Sequence, residues 1–137
     1  MAVEKDFIKR EVEKLILLLT SLIEKVSGIN SSNAQRGIEE VNQVLKIQFD
    51  LTLKDFTLLD DEDILKRITN MHDSHIDKTI ELIYAFVQNS ELDGVSEVYD
   101  KGTLSAKAIL LIDYLNEKSN TFSMKRMSLK KTLQYRI

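Results

Sequence analysis

The residues best suited to chemistry in this sequence are two histidines, His72 and His75, in the segment MHDSHID. Imidazole and carboxylate groups are good ligands for zinc and other divalent ions, and Asp73 and Asp77 lie beside the histidines. A metal site would need further ligands from elsewhere, and the sequence has no third histidine. We therefore favour a structural interpretation, in which Asp73 or Ser74 caps a helix and both histidines are solvated.

The other acidic residues and the glycines form no recognisable catalytic or nucleotide motif. The run from Asp60 to Asp63 lacks the spaced oxygens, central glycine and final glutamate of a calcium loop, and capping of a helix explains it better. General acid–base work needs two carboxylates in one pocket with separated pKa values. Nothing in the sequence places the dispersed glutamates in a pocket, so we interpret them as parts of solvated helix faces: Glu11, Glu13, Glu39, Glu40 and Glu81. The sequence therefore predicts a non-enzymatic protein without a cofactor or metal.

Composition indicates one globular domain. The chain has 137 residues, of which 43% are hydrophobic and 30% are charged, with a formal net charge of -3. This mild acidity argues against a dedicated nucleic-acid-binding protein. The sequence has no cysteine, its first residues do not resemble a secretory signal, and its longest apolar run, Leu15–Leu19, is far shorter than the about 20 residues of a membrane span. We expect a cytoplasmic protein.

Apolar residues recur at helical spacing and proline is absent, which indicates an all-α fold. The first helix is predicted from about Asp6 to Ser27, and Gly28 is expected to end it in the left-handed conformation. Ser32 and Gln35 have the spacing of a capping box before a second helix. The stripe on the first helix comprises Ile8, Val12, Leu15, Leu19, Leu22 and Val26.

The remaining chain predicts shorter helices. Residues 50–72 are interpreted as a connecting segment, in which a packed loop or single turn fills the core before Asp60 caps a short helix. A longer helix follows from about residue 73, and a short one closed by Gly102 includes Tyr99. A further helix carries Leu104 to Leu115, and the last opens near Asn120 with Phe122, Met127 and Leu133.

These elements predict one all-α domain over residues 1–137, built from about six or seven antiparallel helices. An N-terminal helical pair covers about 6–49, the connecting segment covers 50–72, and further helical pairs cover about 73–137. Short loops favour antiparallel neighbours. A closed bundle and a short helical-repeat array share this periodicity, so both remain open.

Three segments together resemble a family of small, uncharacterised bacterial proteins with tetratricopeptide-like, all-helical folds. They are DFIKREVEKLILLL near the start, IQFDLTLKDFTLLDDEDILKRI in the middle, and LLIDYLNEKSNTFSMKRMSLKKTL near the end. The resemblance covers most of the chain and depends mainly on packing residues. It implies a helical-repeat fold and no established activity.

Helical-repeat proteins bind partner segments on concave surfaces, so we predict that this protein binds another protein or a peptide. Aromatic residues are enriched at interface hot spots. The candidate anchors are Tyr84, Tyr99 and Tyr114, and the cations that would select an acidic partner are Lys107, Lys118, Lys125 and Arg126. Core packing of the tyrosines is at least as plausible an interpretation.

The segment TFSMKRMSLKKTLQYRI is basic and amphipathic, a pattern found at acidic membrane surfaces and partner grooves. We favour packing on the preceding helix and do not expect membrane binding. Two further alternatives stay open at this stage. One is a small-ligand or metal-binding bundle centred on His72 and His75, and the other is an oligomeric structural protein in which the first helix pairs with its copy.

Overall fold

The computed structural model describes residues 2–29, 32–89, 100–119, 123–135 and 137 of the chain. Within these ranges the chain forms seven α-helices and no strand, which confirms the all-α fold. The helices are α1 (Ala2–Ser27), α2 (Ala34–Phe49), α3 (Leu53–Leu58), α4 (Asp61–Ile68), α5 (Asp73–Gln88), α6 (Lys101–Ser119) and α7 (Met124–Gln134). No helix in the described ranges is both long and apolar enough to cross a membrane.

Helix α5 lies at the centre of the core. Nine of its 16 residues are buried, including Ile76, Ile80, Ile83 and Phe86. Because these residues point in several directions around the helix, α5 needs neighbours on more than one side. Helix α1 packs along one side and α6 along another, while α6 also contacts α3, α4 and α7.

Helices α1 and α5 run parallel to each other. His75 Nε2 lies 3.1 Å from the carbonyl oxygen of Val12, and these residues are 63 positions apart. Asn89 Nδ2 donates to the carbonyl oxygen of Val26 at 2.7 Å, again across 63 positions. The same offset at both ends fixes the direction and register of the pair. Short loops predict antiparallel packing only for consecutive helices, and α1 and α5 are not consecutive.

The helix ends differ from two predictions. The φ angle of Gly28 lies outside the left-handed region, so the predicted conformation is wrong; its N–H instead donates to the carbonyl oxygens of Glu24 and Lys25. The left-handed residue is Asp50 after α2, with φ 52° and ψ 38°. Aspartate tolerates this conformation better than most residues because its short side chain forms local hydrogen bonds. Here its carboxylate binds Lys46.

The predicted capping box at Ser32 and Gln35 is also wrong. Helix α2 begins at Ala34, so Asn33 is its N-cap, and the Asn33 side chain makes no capping hydrogen bond. A complete capping box lies at α3 instead, where Thr52 Oγ1 accepts from the N–H of Asp55 and the Asp55 carboxylate accepts from the N–H of Thr52. The sequence contains this spacing of a hydroxyl and a carboxylate at Thr52 and Asp55.

The connecting segment contains two short helices. Leu51, Leu53 and Phe56 are buried, as predicted for a turn that fills the core, whereas Leu58 is exposed. Asp60 caps α4, because its carboxylate accepts the N–H of Asp63 at 2.8 Å, and this confirms the prediction for Asp60. Three acidic residues occupy the first turn of α4, next to the positive end of the helix dipole.

The last two helices begin at polar caps. Gly102 lies in the first turn of α6, so the prediction that it closes an earlier helix is wrong; Asp100 accepts its N–H at 3.2 Å. Ser123 caps α7, and Leu133 is the buried anchor of this helix. The predicted short helix around Tyr99, and the predicted roles of Asn120 and Phe122, lie outside the described residues.

Ser105 on α6 is fully buried, and its hydroxyl has no hydrogen-bond partner among the described residues. Because an unsatisfied buried hydroxyl costs about 1–3 kcal/mol, we expect Ser105→Ala to leave the free energy of unfolding unchanged or raise it. Thr79 is a suitable control, since its buried hydroxyl donates to the carbonyl oxygen of His75 at 2.8 Å. Thr79→Val should lower stability. Urea unfolding measures both, and a destabilised Ser105→Ala variant would contradict this account.

Candidate functional site

The two histidines have structural roles in the described chain. His72 is the N-cap of α5, with Nδ1 accepting the N–H of Ser74 at 3.1 Å, so the prediction of Asp73 or Ser74 as the cap is wrong. His75 is buried and not solvated as predicted, and its Nε2–H donates to the carbonyl oxygen of Val12. Each ring therefore uses one nitrogen to hold backbone in place.

A metal site would need the two rings to share a centre with further ligands. The ring centroids lie 5.6 Å apart with an interplanar angle of 52°. Among the described residues, no group of three or more His, Cys, Asp or Glu side chains is arranged to hold a metal ion. The geometry therefore supports a structural role for each histidine: His72 caps α5, and His75 joins α5 to α1.

If His72 acts as an N-cap, a residue type that is preferred at N-caps should preserve the stability of the protein when it takes this position. We expect His72→Ala to lower the free energy of unfolding by about 1 kcal/mol and His72→Asp to restore it, because aspartate is a preferred N-cap. Thermal unfolding with and without zinc measures both effects. If zinc stabilises the wild type and fails to stabilise His72→Asp, a metal role would replace the structural one.

The four cations predicted to bind a partner all face carboxylates of this chain. Lys107 lies 2.6 Å from Asp61 and Lys118 lies 2.8 Å from Asp73. The other two pairs join α7 to α5: Lys125 binds Glu81, and Arg126 Nε lies 3.7 Å from Asp77. The structure brings Lys125 and Arg126 together and leaves Lys107 and Lys118 at separate helix contacts. These cations therefore connect helices.

The two candidate tyrosines in the described residues, Tyr84 and Tyr114, pack against the core. Tyr84 on α5 and Tyr114 on α6 are half-buried against the core, which fits the core-packing interpretation. Lys118 Nζ lies 5.8 Å from the centre of the Tyr114 ring, within range of a cation–π contact. Tyr99 lies outside the described residues. Among the tyrosines that the structure describes, the exposed one is Tyr135, which is not among the candidate anchors.

Two carboxylates on α5 line a cleft of about 320 Å³ between α5 and α7. The expectation of a solvated face is wrong for Glu81, whose side chain is only 18% exposed. Burial raises the pKa of Asp77, and the nearby charge of Arg126 offsets this only in part. Burial also acts to raise the pKa of Glu81, but hydrogen bonds from Lys125 and Lys78 outweigh it and lower that pKa.

These opposite shifts predict opposite pH dependence. A raised pKa means that Asp77 contributes stability below its usual pKa and loses it as pH rises through the raised value, so Asp77→Asn should gain stability relative to wild type over that rise. Glu81 contributes stability above its usual pKa and loses it as pH falls through the lowered value. Glu81→Gln should therefore be weaker than wild type at neutral pH and approach it in acid.

Urea unfolding between about pH 3 and pH 7 measures both variants against the wild type. Asp113→Asn is a suitable control, since Asp113 pairs with Lys130 at 2.8 Å outside this cleft. Curves for Asp77→Asn and Glu81→Gln that diverge from the wild type in the same direction would contradict the two assignments.

One concave surface among the described residues is an open groove of about 1000 Å³. It lies between the N-terminal half of α1, the end of α2 and the segment that joins α4 to α5. The apolar lining residues are Ile8, Val12, Leu15, Ile47, Phe49 and Met71. The polar and charged lining residues are Gln48, Asp50, Arg67, Asn70, His72, Asp73, His75 and Lys118. We name this surface the α1 groove.

One wall of the α1 groove is an apolar stripe that α5 leaves uncovered. The 63-residue offset places Asp73, the first residue of α5, beside Arg10 of α1. Along the stripe, Leu19 is 0% exposed, Val12 and Leu15 are half-buried, and Ile8 is 60% exposed. About eight residues of α1, roughly 12 Å of helix, therefore extend beyond the start of α5.

The opposite wall belongs to the end of α2. Ile47 is 71% exposed at the groove, and Phe49 is half-buried with its ring centroid 5.8 Å from that of His75. Each wall therefore carries an exposed isoleucine, and charged residues line the same groove. Clustered exposed apolar residues mark interaction sites more often than isolated ones do.

Comparisons with protein families, curated proteins and solved structures give no match to this chain. The geometry of the α1 groove is therefore the basis for proposing a function. Sequence reasoning found Ile8 only as part of a core stripe, because the sequence does not show where the covering helix starts. It missed Ile47 and Arg67 altogether.

Proposed function

We propose that this protein is a non-enzymatic binding protein that receives an apolar segment of a partner protein in the α1 groove. The observation that carries this proposal is the uncovered stripe on α1. Ile8 lies on the same helix face as the fully buried Leu19, and yet it is 60% exposed. Burial of an isoleucine stabilises a protein by about 1.5–3 kcal/mol, so a partner that covers this face gains free energy of that order per anchor.

The shape of the α1 groove suits a helix or an extended peptide. A helix in a groove presents apolar anchors at helical spacing to two apolar walls. The groove has such walls on α1 and α2, with its volume of about 1000 Å³ between them. Binding of a partner segment on a concave surface is also a mode of action that helical-repeat proteins use. The absence of cysteine suits a reducing compartment, and we place this activity in the cytoplasm.

The proposal moves the binding surface away from the cations chosen in the sequence. Lys107, Lys125 and Arg126 lie against in-chain carboxylates and outside the α1 groove. Lys118 lines the groove but is bound to Asp73. Apolar contact, with charge at the rim, is therefore the better basis for partner binding.

Photo-crosslinking at defined positions tests this proposal. A photoreactive phenylalanine analogue replaces Ile8 or Ile47 in the full chain, and crosslinks form in the native cells. Leu17 provides a matched control, because it lies on α1, is 70% exposed, and is half a turn away from Ile8 around the helix. We expect the same protein to crosslink at positions 8 and 47 and not at position 17.

A Val12→Lys change in the same chain should abolish these crosslinks, since Val12 lines the groove between the two probes. Equal crosslinking at all three positions would contradict the proposal. Crosslinks only between two copies of this chain would replace it with self-association through α1.

A further inference from the structure

We infer that the partner segment in the α1 groove carries a carboxylate, which Arg67 recognises. This inference rests on the proposed function and names the chemistry of the occupant. Arg67 lies at the end of α4 and lines the groove. It is the cation of the groove that pairs with no carboxylate among the described residues, whereas Lys118 is bound to Asp73.

The backbone of Asp50 holds the Arg67 guanidinium in place. Arg67 Nη1 donates to the carbonyl oxygen of Asp50 at 2.7 Å. This bond ties the last turn of α4 to the end of α2 and fixes the position of the side chain. It uses one of the five guanidinium N–H groups, and the guanidinium forms no ion pair with a carboxylate among the described residues. The Asp50 carboxylate is close enough to feel the Arg67 charge, but Lys46 binds it. The remaining fork of donors matches the geometry of a carboxylate.

The residue that holds Arg67 is itself in an unusual conformation. Asp50 is the one non-glycine residue with positive φ in the described part of the chain. Its carboxylate is bound by Lys46, so the acid that lies nearest to Arg67 in this turn already has a partner. The left-handed conformation ends α2, where the N–H of Asp50 donates to the carbonyl oxygen of Lys46. Here the conformation accompanies an oriented guanidinium at the rim of an apolar groove.

Charge and apolar surface together define the occupant. The charged residues that line the groove are two carboxylates, Asp50 and Asp73, and two cations, Arg67 and Lys118, so their formal charges balance. Lys46 and Lys118 bind the two carboxylates, and Arg67 is the lining charge that forms no ion pair among the described residues. A segment with isoleucine- or leucine-like anchors and an aspartate or glutamate fits the apolar lining and Arg67. The positive charge of Arg67 would repel a basic segment.

Selection from a phage-displayed library of random peptides of about 16 residues, roughly 24 Å as helices, tests the inference. We expect the wild-type chain to enrich peptides that combine apolar anchors with an acidic residue at a constant spacing. Arg67→Gln should still enrich the apolar anchors and lose the acidic preference. Lys66→Gln is the matched control, because Lys66 is the neighbouring exposed cation on α4 and does not line the groove.

Fluorescence polarisation with one selected peptide measures the size of the effect. A glutamate-to-glutamine change in the peptide, or Arg67→Gln in the protein, should each weaken binding about tenfold. The two changes together should weaken it little further, since both remove the same contact. Arg67 is exposed, so the variant should fold like the wild type, and thermal unfolding of Arg67→Gln checks this.

The outcomes separate the inference from the proposed function. Groove binders without an acidic preference, or an acidic preference that survives Arg67→Gln, would overturn the role of Arg67 and leave the groove proposal in place. Selected peptides whose binding is unaffected by Ile8→Lys would overturn both, because they would bind elsewhere.

Discussion

The register of α1 on α5 is the constraint on which the rest of the structure depends. His75 and Asn89 each bond to an α1 carbonyl 63 positions away, and between these bonds α1 covers one side of α5. The fully buried Leu19 and Val26 lie in this paired region. Because α5 starts beside Arg10, the first turns of α1 extend beyond α5. The same register therefore determines both the packed core and the α1 groove.

Electrostatic pairing explains why the basic end of the chain is not a free basic surface. Helix α7 contains no acidic residue, whereas α5 presents Asp77 and Glu81 to it. Lys125 and Arg126 meet these two carboxylates, and Lys130 meets Asp113 on α6 at 2.8 Å. Leu133 is fully buried and Leu129 packs against the core, so α7 has an apolar contact beside these ion pairs. Partly exposed ion pairs are individually weak, and several together set the position of the helix.

Local features of this fold could be predicted from the sequence, and features that join distant residues could not. The periodicity of α1 and the cap at Asp60 depend on neighbouring residues, so the pattern contains the information. The role of His75 depends on a carbonyl 63 positions away, which no local pattern specifies. The left-handed conformation was predicted at Gly28 from residue type, but it occurs at Asp50, where the turn between α2 and α3 requires it. The sequence does not single out Arg67 for the same reason, since the position of its side chain depends on a hydrogen bond to the carbonyl oxygen of Asp50, 17 positions away.

The uncovered part of α1 is helical because the covered part supports it. Starting a helix is costly, whereas extending one by a residue costs little, so the turns held against α5 serve as the nucleus for the turns beyond. Ile8 consequently keeps helical spacing to Val12 and Leu15, although it lies beyond the first residue of α5. On the other wall, Arg67 joins α4 to the end of α2 through the Asp50 carbonyl. A groove with both walls ordered in advance loses less conformational entropy on binding, which favours tight association of a short segment.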